Sequence, residues 1–240
     1  MLPGLLAVLC SLPAARSAAG QALTVFYNIR PPYLLQQEDG GPGGLTGAPA
    51  RQAFRQAGLA VQWSVLPTNR QLMLIRENTG AYCAIGWFSN PERIRFAKFT
   101  RALYRDQGWM VLARADMGLA ESDTLQQVLS RPGLRVLVKD MYSYGPTIDS
   151  LLERYRPTVA VSTGNTLQML QSLTARSVDL MFVSTEEGRY LMDNASVPPG
   201  TLRLLRLADM PKGDTRHIMC SRLVPDSVIE RLDKALRFKR

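Results

Sequence analysis

The sequence predicts an α/β protein of two lobes, each a mostly parallel sheet flanked by helices, and three observations predict it. From Leu23 to Phe88 the order is strand, helix, strand, helix, strand, an alternation that argues a parallel sheet whose ligand sites gather at the carboxyl ends of the strands. After a polar run, Arg114 to Asp123, a second set of similar build begins and continues to Leu207. The chain has 240 residues, 46% hydrophobic and 20% charged, an ordinary globular composition and enough length for two small lobes that each bury a core. No internal repeat or low-complexity tract appears, so the two sets read as pseudo-equivalent lobes rather than an array.

Residues 1–22 read apart from the rest. An apolar run, Leu5 to Leu12, is followed by small residues that offer cleavage after Ala19 or Ala22, the pattern of a secretory signal peptide. A positive n-region is missing, since Arg16 is the only charge there and lies beyond the apolar run. That run is too short to span a bilayer, and no other stretch reaches about 18 apolar residues. Cys10 follows Leu9, which is bulkier than a lipidation site favours. The expectation is an exported, periplasmic protein.

Removal of the segment with its one Arg takes the net charge from +9 to +8. An excess of this size suits nucleic acid, an anionic membrane face or simply a basic proteome. Basic residues are scattered singly, densest at Arg237, Lys239 and Arg240, and no aromatic-basic ladder runs beside them, so no nucleic-acid partner is expected.

Taken in order, Leu23 to Ile29 is β-rich and makes the first strand. Arg30-Pro31-Pro32-Tyr33 follows as an extended turn that presents its side chains. Asp39 to Gly44 reads as a bare loop tip. Leu45 to Gly58 is a helix with Phe54 on its inner face, Gly58 as its cap and Pro49 in its first turn or at a kink. Ala60 to Leu66 alternates as a strand with Trp63 inside, and Pro67 to Asn78 forms a helix started by Thr68.

The stretch Tyr82 to Tyr104 organises the rest. Tyr82 to Phe88 is an apolar strand interrupted by Gly86, whose missing side chain lets another group approach the backbone. Ser89 and Asn90 are helix-capping types, Glu92 stands at capping-box spacing from Ser89, and Pro91 suits a first turn, so a short helix starts there. Arg93 then falls where the helix dipole disfavours a cation. A guanidinium beside open backbone donors and a glycine makes a site for a carboxylate or another small anion. The alternative is a surface arginine over a satisfied turn.

Trp109 to Ala113 is a further strand. The second set comprises helices 124–129, 146–155, 166–173 and 185–192 alternating with strands 134–138, 158–161, 178–183 and 202–207. Lys139 to Tyr144 lies between a strand end and a helix start, where Ser143 and Gly145 leave donors open and Tyr142 and Tyr144 can cover a ligand or pack at the rim. The chain finishes with a strand, 216–221, and an amphipathic helix, 225–238. Cys83 and Cys220, exported together, either pair or stay as buried thiols. His217 is the sole histidine and lies away from every motif, which suits a structural role. No metal-ligand spacing, phosphate loop or nucleophile elbow is present, and no cofactor is implied.

Together, Pro31-Pro32-Tyr33, the run GWFSNPERIRFAKFTRALY, YSYGPTID and the late LTARSVDLMFVSTEEGRYL resemble the bacterial extracellular solute-binding proteins of family 3, periplasmic receptors of polar amino-acid ABC transporters. The resemblance covers nearly the whole chain after residue 22. It implies the periplasmic binding protein type 2 fold, two lobes joined by two crossovers and closing over a ligand, with residues 23–111 and 208–240 in lobe 1 and 112–207 in lobe 2. It brings Cys83 and Cys220 into one lobe. By position, Arg93 matches the arginine that clamps the ligand carboxylate, with Gly86, Phe88 and Ser89 beside it. Tyr142 and Ser143 match the second-lobe helix start that meets the same group.

Departures from the family pattern bear on the ligand. The acid that would hold an α-ammonium falls at Ser184, unless Glu186 or Glu187 replaces it from along the helix. Arg30 stands where an aromatic normally stacks, beside Tyr33, and Thr46 to Ala50 replaces an acid-bearing helix start. Arg30 and Arg93, with Arg70 near them, suit an anionic or dicarboxylate-like solute rather than an ordinary amino acid. The expected role is a monomeric, non-enzymatic binder of a small polar solute for a membrane permease. The alternatives are a dehydratase-like enzyme using Glu186 or Glu187, and a sensor domain for a membrane signalling partner.

Overall fold

The computed structural model describes residues 23–194 and 196–238. The predicted leader, residues 1–22, lies outside them. Lobe 1 opens with β1 (Leu23–Tyr27), the small hairpin β2 (Leu35–Gln36) and β3 (Pro42–Gly43), α1 (Gly44–Gln56), β4 (Val61–Val65) and α2 (Thr68–Glu77). It continues through β5 (Tyr82–Phe88), α3 (Pro91–Ile94), β6 (Ala97–Phe99) and β7 (Tyr104–Arg105). The chain then crosses to the second sheet through β8 (Trp109–Arg114), α4 (Leu125–Leu129), β9 (Arg135–Lys139), α5 (Pro146–Tyr155), β10 (Thr158–Ser162), α6 (Thr166–Thr174), β11 (Leu180–Ser184), α7 (Thr185–Asn194) and β12 (Leu202–Leu205). It returns to lobe 1 for β13 (Thr215–Ser221) and α8 (Asp226–Ala235).

The first sheet has the order β4-β1-β5-β13-β6, with β7 also paired to β13, and the second β10-β9-β11-β8-β12. Apolar side chains pack on both faces of each sheet, giving each lobe its own core. Strands that return over a helix run parallel, as predicted. The sheets are mixed rather than wholly parallel, because β8 and β13 run antiparallel to their neighbours. Both arrive from the other lobe and enter their sheet from the end where its parallel strands finish, so their direction is reversed. All of β8 belongs to the second sheet, so this strand straddles the expected 111/112 division.

Several local readings need correction. Asp39 to Gly44 is not a bare tip: Pro42 and Gly43 are buried and pair with β2. Pro49 lies inside α1, beyond the first turn, while Gly58 supplies the left-handed residue after it at φ 62°. Asn90, not Ser89, caps α3, its side chain accepting from the Arg93 N–H at 2.9 Å, and Glu92 reaches outward to Arg76.

Two connectors join the lobes side by side. The Asp106 N–H donates to the Asp214 carbonyl at 3.1 Å, Gly108 bridges Lys212, and the Trp109 N–H donates to the Pro211 carbonyl at 3.3 Å. Their backbones lie so close at Gly213 that a Cβ there would stand 2.0 Å from the Asp106 carbonyl oxygen, a contact only glycine avoids. Cys83 on β5 and Cys220 on β13 face each other in register and form a disulfide, fully buried in lobe 1.

Candidate ligand cleft

The carboxyl ends of β1 and β5 in one lobe face those of β9 and β11 in the other, and two adjacent spaces that share part of their lining lie between them. A chamber of about 360 Å³ is lined by Val65, Leu66 and Pro67 from lobe 1, by Leu167, Met169, Met181, Phe182 and Leu191 from lobe 2, and by Arg30, Lys139 and Glu187 as its charged groups. A recess of about 30 Å³ is lined by Tyr33, Thr46, Gly86, Phe88, Arg93, Ser143 and Arg216. Asn28, Arg30, Thr68, Trp109 and Tyr142 line both, so they form the wall the two spaces share.

Three arginines converge on the recess, and their counter-charges set them apart. Arg30, on the turn after β1, is bound on two sides by Glu187 of α7, Nε to Oε1 at 2.9 Å and Nη2 to Oε2 at 2.7 Å, while Thr166 donates to Oε1 at 2.9 Å. Both side chains are buried, and the pair bridges the lobes. Burial would push the Glu187 carboxyl up, but the Arg30 charge and the donated hydrogen bonds outweigh it and hold the group below the usual carboxylate range. Arg216, at the start of β13, is gripped by Asp106 at 2.7 and 2.6 Å, donates to the Gly86 carbonyl and lies between the Tyr33 and Phe88 rings. Arg93 differs. It is 5% exposed and stacks on Trp87, yet among the described residues it has no carboxylate within 4.0 Å and donates only to the carbonyls of Phe88 and Met141, each at 3.2 Å. Burial pulls its pKa down, as expected of a cation without a direct anionic partner.

Of the residues predicted for a site, Arg30, Tyr33, Gly86, Phe88, Arg93, Tyr142 and Ser143 come together at these spaces. Gly86 holds φ 85°, a conformation that favours glycine and turns its carbonyl to Arg216. Ser143 donates to Asp149 at 2.6 Å at the start of α5. Three predicted residues lie elsewhere. Ser89 is exposed and caps nothing, Arg70 is exposed on α2 with its guanidinium at the Met73 sulfur, and Ser184 is fully buried as the acceptor for the Glu187 N–H.

Sequence reasoning missed Arg216, because its partner Asp106 is 110 residues away and nothing local to β13 signals an ion pair. Glu186 accepts from Tyr33 at 3.1 Å, from Tyr104 at 2.8 Å and from the Gln107 N–H at 2.8 Å, so it fastens α7 to lobe 1 and its connector. His217 is held between the Thr100 carbonyl and Thr215, on lobe 1 away from both spaces. Among the described residues no cluster of His, Cys, Asp and Glu could hold a metal ion, and no helix is long and apolar enough to cross a membrane.

No family model and no curated protein matches the chain. Solved structures do. An ancestral arginine-binding protein bound to arginine superposes with a TM-score of 0.71 at 16% identity, covering 90% of both chains. The GluR0 ligand-binding core of Nostoc punctiforme in complex with L-glutamate gives 0.67 at 15% identity, over 89% of this chain and 91% of that one. The periplasmic VFT2 domain of BvgS from Bordetella pertussis gives 0.68 at 19% identity, over 90% and 86%. At these identities the likeness carries the fold, and the fold is the two-lobed, periplasmic-binding-protein-like one.

Proposed function

We propose that this protein is an exported receptor that captures a small carboxylate-bearing solute between its two lobes and delivers it to an ABC-type membrane permease. One observation carries the reading: Arg93 is a buried guanidinium without a carboxylate partner among the described residues, heading a recess at the junction of the lobes. A buried cation is costly unless an anion meets it, and a planar fork is matched by a carboxylate. The solved structures that share the fold include proteins bound to arginine and to glutamate, which agrees with a carboxylate in such a cleft.

Capture suits the cleft better than turnover. Glu187, the acid that faces the chamber, is neutralised by Arg30 and held ionised, so it has no proton to give and is a weak base. Closure around a ligand that touches both lobes needs only differential affinity for the closed state.

The test is a titration of small carboxylates against the purified protein and its Arg93→Ala variant, followed by calorimetry. A charge-assisted bond of about 1.5–3 kcal/mol sets the expected loss at roughly tenfold to a hundredfold. A carboxylate that binds both proteins equally removes Arg93 from the site. For the transport role, deleting the gene should abolish uptake of the solute found, and retained uptake would count against delivery to a permease.

A further inference from the structure

Among the described residues only one acid lines the chamber or the recess, and it is already engaged. Glu187 takes both nitrogens of Arg30 and the Thr166 hydroxyl. An ammonium approaching it would meet the Arg30 guanidinium at the same moment and be repelled. The other acids nearby are bound outside the lining: Asp106 by Arg216, Glu186 by two tyrosines and a backbone N–H, and Asp149 by Ser143 and the Tyr144 N–H. Positive charge is in surplus on the same walls, where Arg93 and Lys139 have no carboxylate within 4.0 Å among the described residues. Lys139 donates instead to the Thr163 and Gly164 carbonyls.

The two spaces also differ in size and lining. The recess, at about 30 Å³, holds one or two water-sized groups, the bulk of a carboxylate and little more. The chamber, at about 360 Å³, falls in the range of small-molecule sites, and away from its polar edge it is walled by Leu66, Trp109, Met181, Phe182 and Leu191.

Resting on the receptor reading above, we infer that the solute is a monocarboxylate with an apolar aliphatic or aromatic body and no α-ammonium. Its carboxylate sits at the shared wall toward Arg93, and its body fills the chamber. A zwitterionic amino acid would bury its ammonium among cations, and a dicarboxylate would find for its second charge only Lys139, already bonded to two carbonyls, on an otherwise largely apolar wall.

Matched pairs test this directly. The purified protein is titrated with 3-phenylpropanoate against L-phenylalanine, and with 4-methylpentanoate against L-leucine, with succinate and L-glutamate as polar controls. The deaminated member of at least one pair should bind tenfold or more tightly than its amino acid and than both controls. Leu167→Asp or Val65→Asp, at positions 50% and 44% exposed on the chamber wall and so tolerant of change, should weaken that acid tenfold or more while the unliganded melting temperature holds. Equal or tighter binding of the amino acid, or tightest binding of succinate, overturns this inference, and the receptor reading survives if Arg93→Ala still weakens that binding tenfold or more. An apolar acid indifferent to both chamber variants overturns the chamber assignment. No carboxylate binding at all overturns both readings.

Discussion

Burying Arg30 against Glu187 makes each side chain depend on the other. Removing one charge leaves its partner in a low-dielectric wall with nothing to offset it, a loss of about 3–5 kcal/mol in comparable buried pairs. Glu187→Gln should therefore lower stability by that order in chemical denaturation, whereas replacing both partners with leucine should cost much less. The pH dependence follows from the depressed carboxyl of Glu187. Its folded value lies below its unfolded one, so the stabilisation is complete above the unfolded value of about 4.3 and is lost as pH falls through the folded value. Melting temperature should drop on acidification below about pH 4, and the glutamine variant should lose part of that slope. Arg93 was legible in the sequence because strand, glycine, cap and helix start lie within a few residues of it. The Arg30–Glu187 pair was not, since its partners are 157 residues apart and meet only across the cleft.

At the scale of elements, Asp179 shows how one side chain registers a sheet. It stands just before β11 and accepts from Arg114 of β8 and from the Nε, Nη2 and backbone N–H of Arg135 on β9, so three adjacent strands share one carboxylate. Asp179→Ala would strand two arginines at the edge of the core. The expected result is a loss of stability confined to lobe 2, read as faster amide exchange in β8, β9 and β11 with little change in β1 and β5. Long elements such as α5, whose bounds match the prediction at both ends, were legible from periodicity and from Pro146 at the first turn. The strands β2, β3, β6 and β7 were not, because two or three residues carry no period. The reversed direction of β8 and β13 was hidden too, since it follows from which lobe the chain arrives from.

For the whole molecule, side-chain bonds cross the cleft between the lobes. Arg30 to Glu187, Tyr33 to Glu186, Arg93 to the Met141 carbonyl and Asn69 to Asp140 each tie lobe 1 to lobe 2. Removing two of them, in Arg30→Met with Tyr33→Phe, should shift the unliganded protein toward an open form with a larger radius of gyration in small-angle scattering. An unchanged radius would mean that the remaining contacts and the paired connectors suffice.

The link between Cys83 and Cys220 spans 137 positions and so encloses the whole of lobe 2 within one covalent ring. A protease that cuts once anywhere inside that ring yields two peptides that stay tethered through sulfur. On a denaturing gel the clipped protein should migrate as a single band until a thiol reagent is added, and only then separate into fragments.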